Sequence, residues 1–230
     1  MKNIIIISPH PDDAALGLGG FIFKHKDKYS ILIVNVTDGA NSANGTSYIR
    51  HKEEQYINLK YGIEFLNLFF EDGTVSSQKN AVEYSIVQII RKYKPAIVFA
   101  PYFSDRHPDH SCLYEYVKNS IYYAATNKWR EDAELHNCKN LFFYSQDYRP
   151  NETTILVDVS DVYKNKIALL EDYNSQFGSE HKKTLLNSSL LQKIESRDRY
   201  CGSIIDCEFA EPIITESLLR LNNIYDIVRI

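Results

Sequence analysis

The chain has 230 residues, a formal net charge of −4 and a hydrophobic fraction of 44%. This size suits one ordinary domain, and interspersed charges with an acidic balance exclude the basic surface that nucleic-acid-binding proteins carry. No apolar run is long enough to cross a bilayer, and the N-terminus leads straight into a strand. We therefore expect a single cytoplasmic domain over residues 1–230, with no nucleic-acid or membrane partner.

Four consecutive isoleucines at residues 4–7 predict a strand buried on both faces. His10, Asp12 and Asp13 follow at once, on the turn before a helix predicted over residues 13–26. In open α/β sheets this turn, at the carboxyl end of a strand, is where ligands bind. Three such polar groups beside a buried strand are costly unless they have a function.

The next elements continue the alternation of strand and helix. Strands are predicted over residues 29–37, 63–70 and 96–100, and helices over residues 47–61, 80–93 and 110–126. This order predicts a Rossmann-like α/β fold, a largely parallel sheet with helices on both faces. The remainder is less regular, with strands over 139–144 and 154–159, a helix capped by 158–161 and running to about 175, a helix over 185–200 ending at Gly202, an extended piece from 208 and a short helix from about 215.

A second polar cluster follows the strand at residues 96–100 and reads Asp105-Arg106-His107-Pro108-Asp109-His110. If the strands are parallel, this cluster lies at the same sheet edge as the first one. A hydrolytic zinc site needs three nitrogen or oxygen ligands and an open position for water. His10, Asp13 and His110 supply such a set.

The remaining polar residues of the two clusters suit proton transfer. Asp12 shares the turn with two of the ligands but points elsewhere, so it can act as general base. His107 can stabilise the oxyanion or protonate the leaving nitrogen, with Asp109 orienting an imidazole of this motif. One such cluster alone could be a capped turn, but two clusters after buried strands are hard to explain by capping.

Two other features have simple structural interpretations. Arg50 and Glu53, taken alone, are typical of a solvated ion pair at the start of a helix. The four cysteines form no CxxC pair and predict free, mostly buried thiols rather than a zinc ribbon or a redox motif.

Both clusters resemble the signature motifs of the LmbE-like, or PIG-L, zinc-dependent N-deacetylases: His10-Pro11-Asp12-Asp13 with Leu16-Gly17-Leu18-Gly19-Gly20, and Asp105 to His110. Further blocks at 158–161, 173–177 and 196–202 extend the resemblance over nearly the whole chain. Residues 42–46 and 174–177 look most like the bacillithiol-biosynthesis branch, which deacetylates N-acetylglucosaminyl malate. Many members have an acidic residue at one of the positions that Ala14 and Ala15 occupy here.

The resemblance implies an LmbE-like fold and a homo-oligomer. It implies that His10, Asp13 and His110 are ligands of Zn²⁺ or another divalent metal. It further implies that Asp12 is the general base, that His107 is the electrostatic or acid group of the transition state, and that Asp109 is the partner of a catalytic imidazole. Two roles rest on the resemblance alone: Arg50 as a substrate-binding cation and Tyr200 as a residue lining the pocket. The missing acidic residue removes any contact made there in relatives.

The function that these residues predict is removal of the acetyl group from an N-acetylglucosamine-type sugar or glycoside. Within hydrolases, the alternative is another amide, such as an N-acylated antibiotic or a nucleotide sugar. A nucleotide-binding oxidoreductase could be built around Gly17, Gly19 and Gly20, but these glycines lack the GxGxxG spacing and come after the acidic turn. A non-catalytic sugar-binding relative is a further alternative, against which the complete ligand set argues. In the helix, the glycines are expected to allow close approach of neighbouring backbone.

Overall fold

The computed structural model describes residues 3–42, 44–105, 107–129, 133–147, 151–178 and 189–218. Its strands and helices are, in chain order, β1 (Ile4–Ser8), α1 (Asp13–His25), β2 (Ile31–Thr37), α2 (Ser47–Tyr61), β3 (Glu64–Phe70), α3 (Lys79–Tyr93), β4 (Ile97–Pro101), α4 (Pro108–Ala124), β5 (Asn140–Tyr144), β6 (Ile155–Asp158), α5 (Tyr163–Asp172), α6 (Asn174–Phe177), α7 (Leu190–Ile204) and β7 (Ala210–Ile214). None of the helices in these ranges combines the length and the apolar character needed to cross a membrane.

The strands form one sheet with the order β3-β2-β1-β4-β5-β7-β6. The first five strands are mutually parallel, and β7 runs antiparallel to both β5 and β6. The predicted Rossmann-like, largely parallel sheet is therefore confirmed. The chain proceeds outward from β1 to β3 and then returns to the other side of β1 with β4. Ligands of such sheets bind outside the carboxyl ends of the strands at this change of direction.

Helices cover both faces of the sheet because the central strands are apolar on both faces. In β1, Ile5 and Ile7 pack in the core beneath α3 and α4, whereas Ile4 and Ile6 pack in the core beneath α1, α2, α5 and α7. Successive side chains of a strand point to opposite faces, so a run of four isoleucines supplies both cores.

The predicted elements from β1 to α4 are all present, with ends that differ by no more than two residues. Gly62 adopts the left-handed conformation (φ 68°) that ends α2, as expected of a C-cap glycine. The prediction of one continuous helix running to about residue 175 is wrong. It consists of a short 3-10 turn, α5 and α6, and the chain leaves helical geometry at Tyr173 (φ −77°, ψ 60°).

The predicted C-terminal elements need two corrections. Helix α7 does not end at Gly202 but continues to Ile204. A Cβ on Gly202 would lie 2.7 Å from the carbonyl oxygen of Cys207, so this glycine serves a close backbone approach rather than a cap. Residues 215–218 are not helical, and the rest of the helix predicted there lies outside the described residues, as do residues 185–188 of the preceding prediction.

The glycines of α1 pack closely, but against side chains rather than backbone as predicted. A Cβ on Gly17 would clash with the ring of Tyr144, one on Gly19 would meet Lys166 at 2.9 Å, and one on Gly20 would meet Val159 at 2.7 Å. These glycines let the sheet and α5 reach the helix. The space beside them is filled by protein, which argues against the nucleotide-binding alternative.

Candidate active site

The two sequence clusters meet at the carboxyl edge of the parallel strands. The turn after β1 carries His10 and Asp13, and the turn after β4 carries His110 at the start of α4. Because β1 and β4 are hydrogen-bonded neighbours, their following turns lie side by side. The predicted convergence of the two motifs is therefore present in the structure.

Local hydrogen bonds shape the turn after β1. The hydroxyl of Ser8 donates to the carbonyl of His10 (2.7 Å) and accepts from the backbone N–H of Ala14 (3.1 Å). The carboxylate of Asp13 accepts from the backbone N–H of His10 at 2.9 Å. A carboxylate in the first turn of a helix is also favoured by the helix dipole. The turn therefore holds the His10 and Asp13 side chains on the same side.

Three donor atoms of the predicted ligands form a compact triangle. His10 Nδ1 lies 2.9 Å from Asp13 Oδ2, His110 Nε2 lies 3.0 Å from the same oxygen, and the two nitrogens are 3.2 Å apart. Tetrahedral zinc, with bonds of about 2.0–2.1 Å to nitrogen and oxygen, separates its ligand atoms by about 3.3 Å. The three side chains are therefore spaced and chemically suited to hold such an ion.

The charges in this triangle interact strongly. Burial lowers the pKa of His110, but the charge of Asp13 and hydrogen bonds to Asp105 and Asp13 outweigh it and raise the pKa to about 9. Burial also opposes protonation of His10, whose pKa is nevertheless raised well above its usual value by Asp109, Asp13 and Asp72. Imidazole must be neutral to bind a metal, so protons compete with a metal for these two nitrogens.

The second nitrogen of each imidazole faces carboxylates. His110 Nδ1 lies 3.0 Å from Asp105 Oδ2, while His10 Nε2 lies 3.1 Å from Asp72 Oδ1 and 3.5 Å from Asp109 Oδ2. Metal-binding histidines usually have such a carboxylate on the far nitrogen, which fixes the ring orientation and raises its basicity. Asp109 was expected to orient an imidazole of its own motif, but the ring that its carboxylate approaches is that of His10.

The side chain of Asp12 pairs with Arg50. Asp12 Oδ1 accepts from Arg50 Nη2 at 2.8 Å, and Arg50 Nη1 lies 3.8 Å from Glu53 Oε2. Arg50 is only 2% exposed, so the interpretation of Arg50 and Glu53 as a solvated pair is wrong. Burial alone would lower the pKa of Arg50, but the charges of Asp12 and Glu53 together have the larger effect and raise it above its usual value, which keeps the guanidinium charged.

His107 lies beside both His10 and His110. The ring centroids of His107 and His10 are 4.6 Å apart in an edge-to-face arrangement. As the N-cap of α4, His107 accepts the backbone N–H of Asp109 on Nδ1 (3.3 Å). Burial, together with the positive charges of His10 and His110, lowers the pKa of His107. The neutral ring with Nδ1 as acceptor carries its proton on Nε2.

Comparisons with known proteins now place this geometry in a family. The family model described as GlcNAc-PI de-N-acetylase, PIG-L, matches residues 5–121, the segment that holds both motifs. Diacetylchitobiose deacetylase of Thermococcus kodakarensis is 30% identical over 195 residues, which cover 77% of this chain and 71% of that protein. The chain belongs to the PIG-L family. Deacetylases of the PIG-L family are amide hydrolases, and this chain is an enzyme of that class.

Solved structures of similar proteins agree with the PIG-L fold. A conserved protein of Thermus thermophilus is 28% identical, with a TM-score of 0.83 and coverage of 96% of this chain and 98% of that one. N,N'-diacetylchitobiose deacetylase of Pyrococcus horikoshii, solved with an inhibitor, has a TM-score of 0.80 at 23% identity, over 92% of this chain and 82% of that chain. At this lower identity the second likeness supports the fold.

Three positions to which the PIG-L resemblance draws attention contribute no group to the polar cluster of the described residues. Tyr200 is 56% exposed on α7, so the structure does not bury it with the three predicted metal ligands. Ala14 and Ala15, where many members carry an acidic residue, are each 1% exposed and pack in the apolar core beneath α1. A carboxylate at either position would be enclosed by apolar side chains, which explains why alanine fits this chain.

Sequence reasoning missed two side chains of the site. The sequence motifs include neither Asp72 nor Gln146, yet Asp72 Oδ1 lies 3.1 Å from His10 Nε2 and Gln146 Nε2 donates to Asp13 Oδ1 at 2.6 Å. Asp72 follows β3 and Gln146 follows β5, so both lie at the same edge as the two motifs. A polar side chain directly after each predicted parallel strand was the available signal. The sequence could not say which of these side chains reach the ligands.

Proposed function

We propose that this enzyme is a zinc-dependent N-deacetylase of an N-acetylglucosamine-type sugar or glycoside. The observation that supports it best is the triangle of His10 Nδ1, Asp13 Oδ2 and His110 Nε2, with sides of 2.9–3.2 Å. These three residues would hold the metal. A bound zinc ion would supply a Lewis acid beside the amide carbonyl and would acidify water.

Asp12 acts as the general base in this proposal. Its Oδ2 is left for the proton of the attacking water, because Oδ1 accepts from Arg50 Nη2 at 2.8 Å. The guanidinium holds the carboxylate in one orientation, as a productive proton transfer requires. Attack on the amide carbon forms the new C–O bond while the water proton passes to Asp12. Collapse of the tetrahedral species breaks the C–N bond, and Asp12 passes that proton to the leaving nitrogen, so that acetate and the free amine are released.

His107 contributes a hydrogen bond from its Nε2–H group. Because Nδ1 accepts from the backbone of Asp109, Nε2 is the nitrogen that can donate to the oxyanion that forms on the amide carbonyl. His107 lies beside both His10 and His110, close enough that the three imidazoles could also hold a metal together, and in this proposal its Nε2 faces the substrate instead. We therefore assign the oxyanion contact to His107.

The proposed substrate class follows from the relatives named diacetylchitobiose deacetylase and from the family description. Within this class we propose N-acetylglucosaminyl malate as the first compound to test, since residues 42–46 and 174–177 look like the branch that uses it. Arg50 remains a proposed substrate-binding cation on the resemblance alone, since its Nε and Nη1, which lack a hydrogen-bond partner among the described residues, are buried from solvent.

The test is an acetate-release assay with zinc-loaded protein. Substrates would be N-acetylglucosaminyl malate, N,N'-diacetylchitobiose, N-acetylglucosamine and a nucleotide sugar, each repeated with metal-stripped protein as control. We expect acetate from at least one glucosaminide, loss of activity on stripping and recovery with Zn²⁺. Full activity of the stripped protein would refute the metal dependence, and no acetate from any glucosaminide would refute the substrate class.

A further inference from the structure

The two carboxylate oxygens of Asp13 have different partners. Oδ2 faces His10 Nδ1 and His110 Nε2, at 2.9 and 3.0 Å. Oδ1 instead accepts from the side-chain amide of Gln146 at 2.6 Å. A carboxylate held in this way presents a single oxygen to the ligand triangle. The orientation of Asp13 therefore depends on where Gln146 is held.

Gln146 belongs to the segment that follows β5, and Arg197 of α7 binds the backbone of that segment. Arg197 Nη1 donates to the carbonyl oxygens of Ser145 (2.7 Å) and Gln146 (3.3 Å). Arg197 Nη2 donates to the carbonyl of Leu16 in α1 at 3.0 Å. One buried guanidinium thus joins the segment of Gln146 to the helix that begins with Asp13.

A network of buried charges fixes the guanidinium in turn. Arg197 pairs with Asp198 at 2.6 Å, and Lys166 lies 2.6 Å from both Asp198 and Glu211. The Glu211 carboxylate accepts the backbone N–H groups of residues 20 and 21, just after α1 leaves helical geometry at Leu18. Two positive and two negative groups are buried together, so removal of one would leave an unpaired charge.

We propose that Gln146 is a positioning residue for the metal site and that Arg197 holds it in place. Gln146 occupies Asp13 Oδ1, so only Oδ2 is offered to a metal. Arg197 keeps the amide within reach by fixing the backbone after β5 against α1. The inference rests on the proposed metal site and assigns to it two residues outside both sequence motifs.

The main test compares Gln146→Leu with Gln88→Leu. Gln88 is a matched control because it also donates one hydrogen bond, to the carbonyl of Trp129 at 3.1 Å, from α3. Loss of a residue that orients a metal ligand typically weakens metal binding about 10- to 100-fold. We expect that loss for Gln146→Leu in a competitive zinc titration, with a changed visible spectrum of the Co²⁺-substituted protein. Gln88→Leu should match the wild type in both.

Several outcomes decide the inference. Gln146→Asn, whose amide is one methylene shorter, should behave like Gln146→Leu, since it retains polarity but loses reach. Wild-type zinc affinity and an unchanged Co²⁺ spectrum in both Gln146 variants would overturn the inference and leave the metal site standing. Failure of the wild type to bind stoichiometric zinc would overturn the proposed metal site and the inference with it.

Arg197→Lys tests the second half of the proposal. Lysine keeps the positive charge beside Asp198 but lacks the planar fork that reaches three carbonyls. We expect weaker zinc binding in this variant and little further loss when it is combined with Gln146→Leu, because both changes release the same carboxylate. Full additivity of the two losses would show that Arg197 does not act through Gln146.

Discussion

His10 Nδ1 and His110 Nε2 lie 3.2 Å apart although 100 positions separate the two residues along the chain. The contact arises because β1 and β4 pair in parallel and each strand is followed directly by its histidine turn. Asp13 Oδ2 completes the triangle within about 3 Å of both nitrogens. The proposed metal site is thus a product of strand pairing.

His110→Ala should remove stoichiometric zinc, since it deletes one corner of the triangle. Metal analysis of the purified variant against His136→Ala provides the measurement. His136 is a suitable control because its Nε2 contacts the carbonyl of Pro95 outside the site. One zinc per chain in the His110 variant would rule out His110 as a ligand.

The metal-free protein should lose stability as the pH rises toward 9. His110 has a folded-state pKa of about 9, above the usual value of 6.5, so its protonated form stabilises the fold. This contribution is fully present below pH 6.5 and is lost as the pH passes 9. Urea unfolding of the metal-free protein at pH 6.5 and 9.5 measures the difference in the free energy of unfolding between the two pH values. This difference should be smaller in His110→Ala.

Zinc binding should release protons at pH 7.5, because a pKa of about 9 keeps His110 charged before the metal enters and the pKa of His10 is raised in the same direction. Calorimetric titration in buffers of different ionisation enthalpy counts these protons. We expect zinc affinity to rise with pH up to about 9. Binding without proton release would contradict the charge state assigned to His110.

Asp12→Asn should keep the metal and lose turnover. The amide cannot accept the proton of the attacking water, and general-base catalysis typically contributes about 100- to 10,000-fold. We expect a loss of kcat in that range with normal zinc content. Asp161→Asn, at an exposed ion pair with Lys24, is the control and should be fully active. Normal turnover of Asp12→Asn would remove it from the mechanism.

Arg50→Lys should raise KM more than it lowers kcat. Lysine retains a positive charge near Asp12 but lacks the planar guanidinium that pairs with Asp12 and that, in the proposal, binds a substrate carboxylate. Losing hydrogen bonds to a charged group typically costs about 1.5–3 kcal/mol, which corresponds to about a tenfold or greater rise in KM. Steady-state kinetics measure KM and kcat of this variant, with Arg199→Lys at an exposed position as the control. An unchanged KM would argue that Arg50 serves Asp12 alone.

The alternation of apolar runs and amphipathic segments was sufficient to predict the fold from β1 to α4. Those elements depend on local patterns: isoleucines for both cores, a glycine cap after α2, and polar turns after each strand. The C-terminal part was predicted less well. The break at Tyr173 and the continuation of α7 through Gly202 depend on tertiary packing that no local pattern reveals.

The sequence by itself determined the family motifs, the sheet edge at which they lie and the residue types suited to a metal. Only the tertiary structure decided that Asp72 faces His10, that Arg50 is buried beside Asp12, and that Gln146 takes one oxygen of Asp13. The physical reason is that each of these contacts joins segments far apart in the chain. Such contacts are set by strand order and register, which local periodicity does not specify.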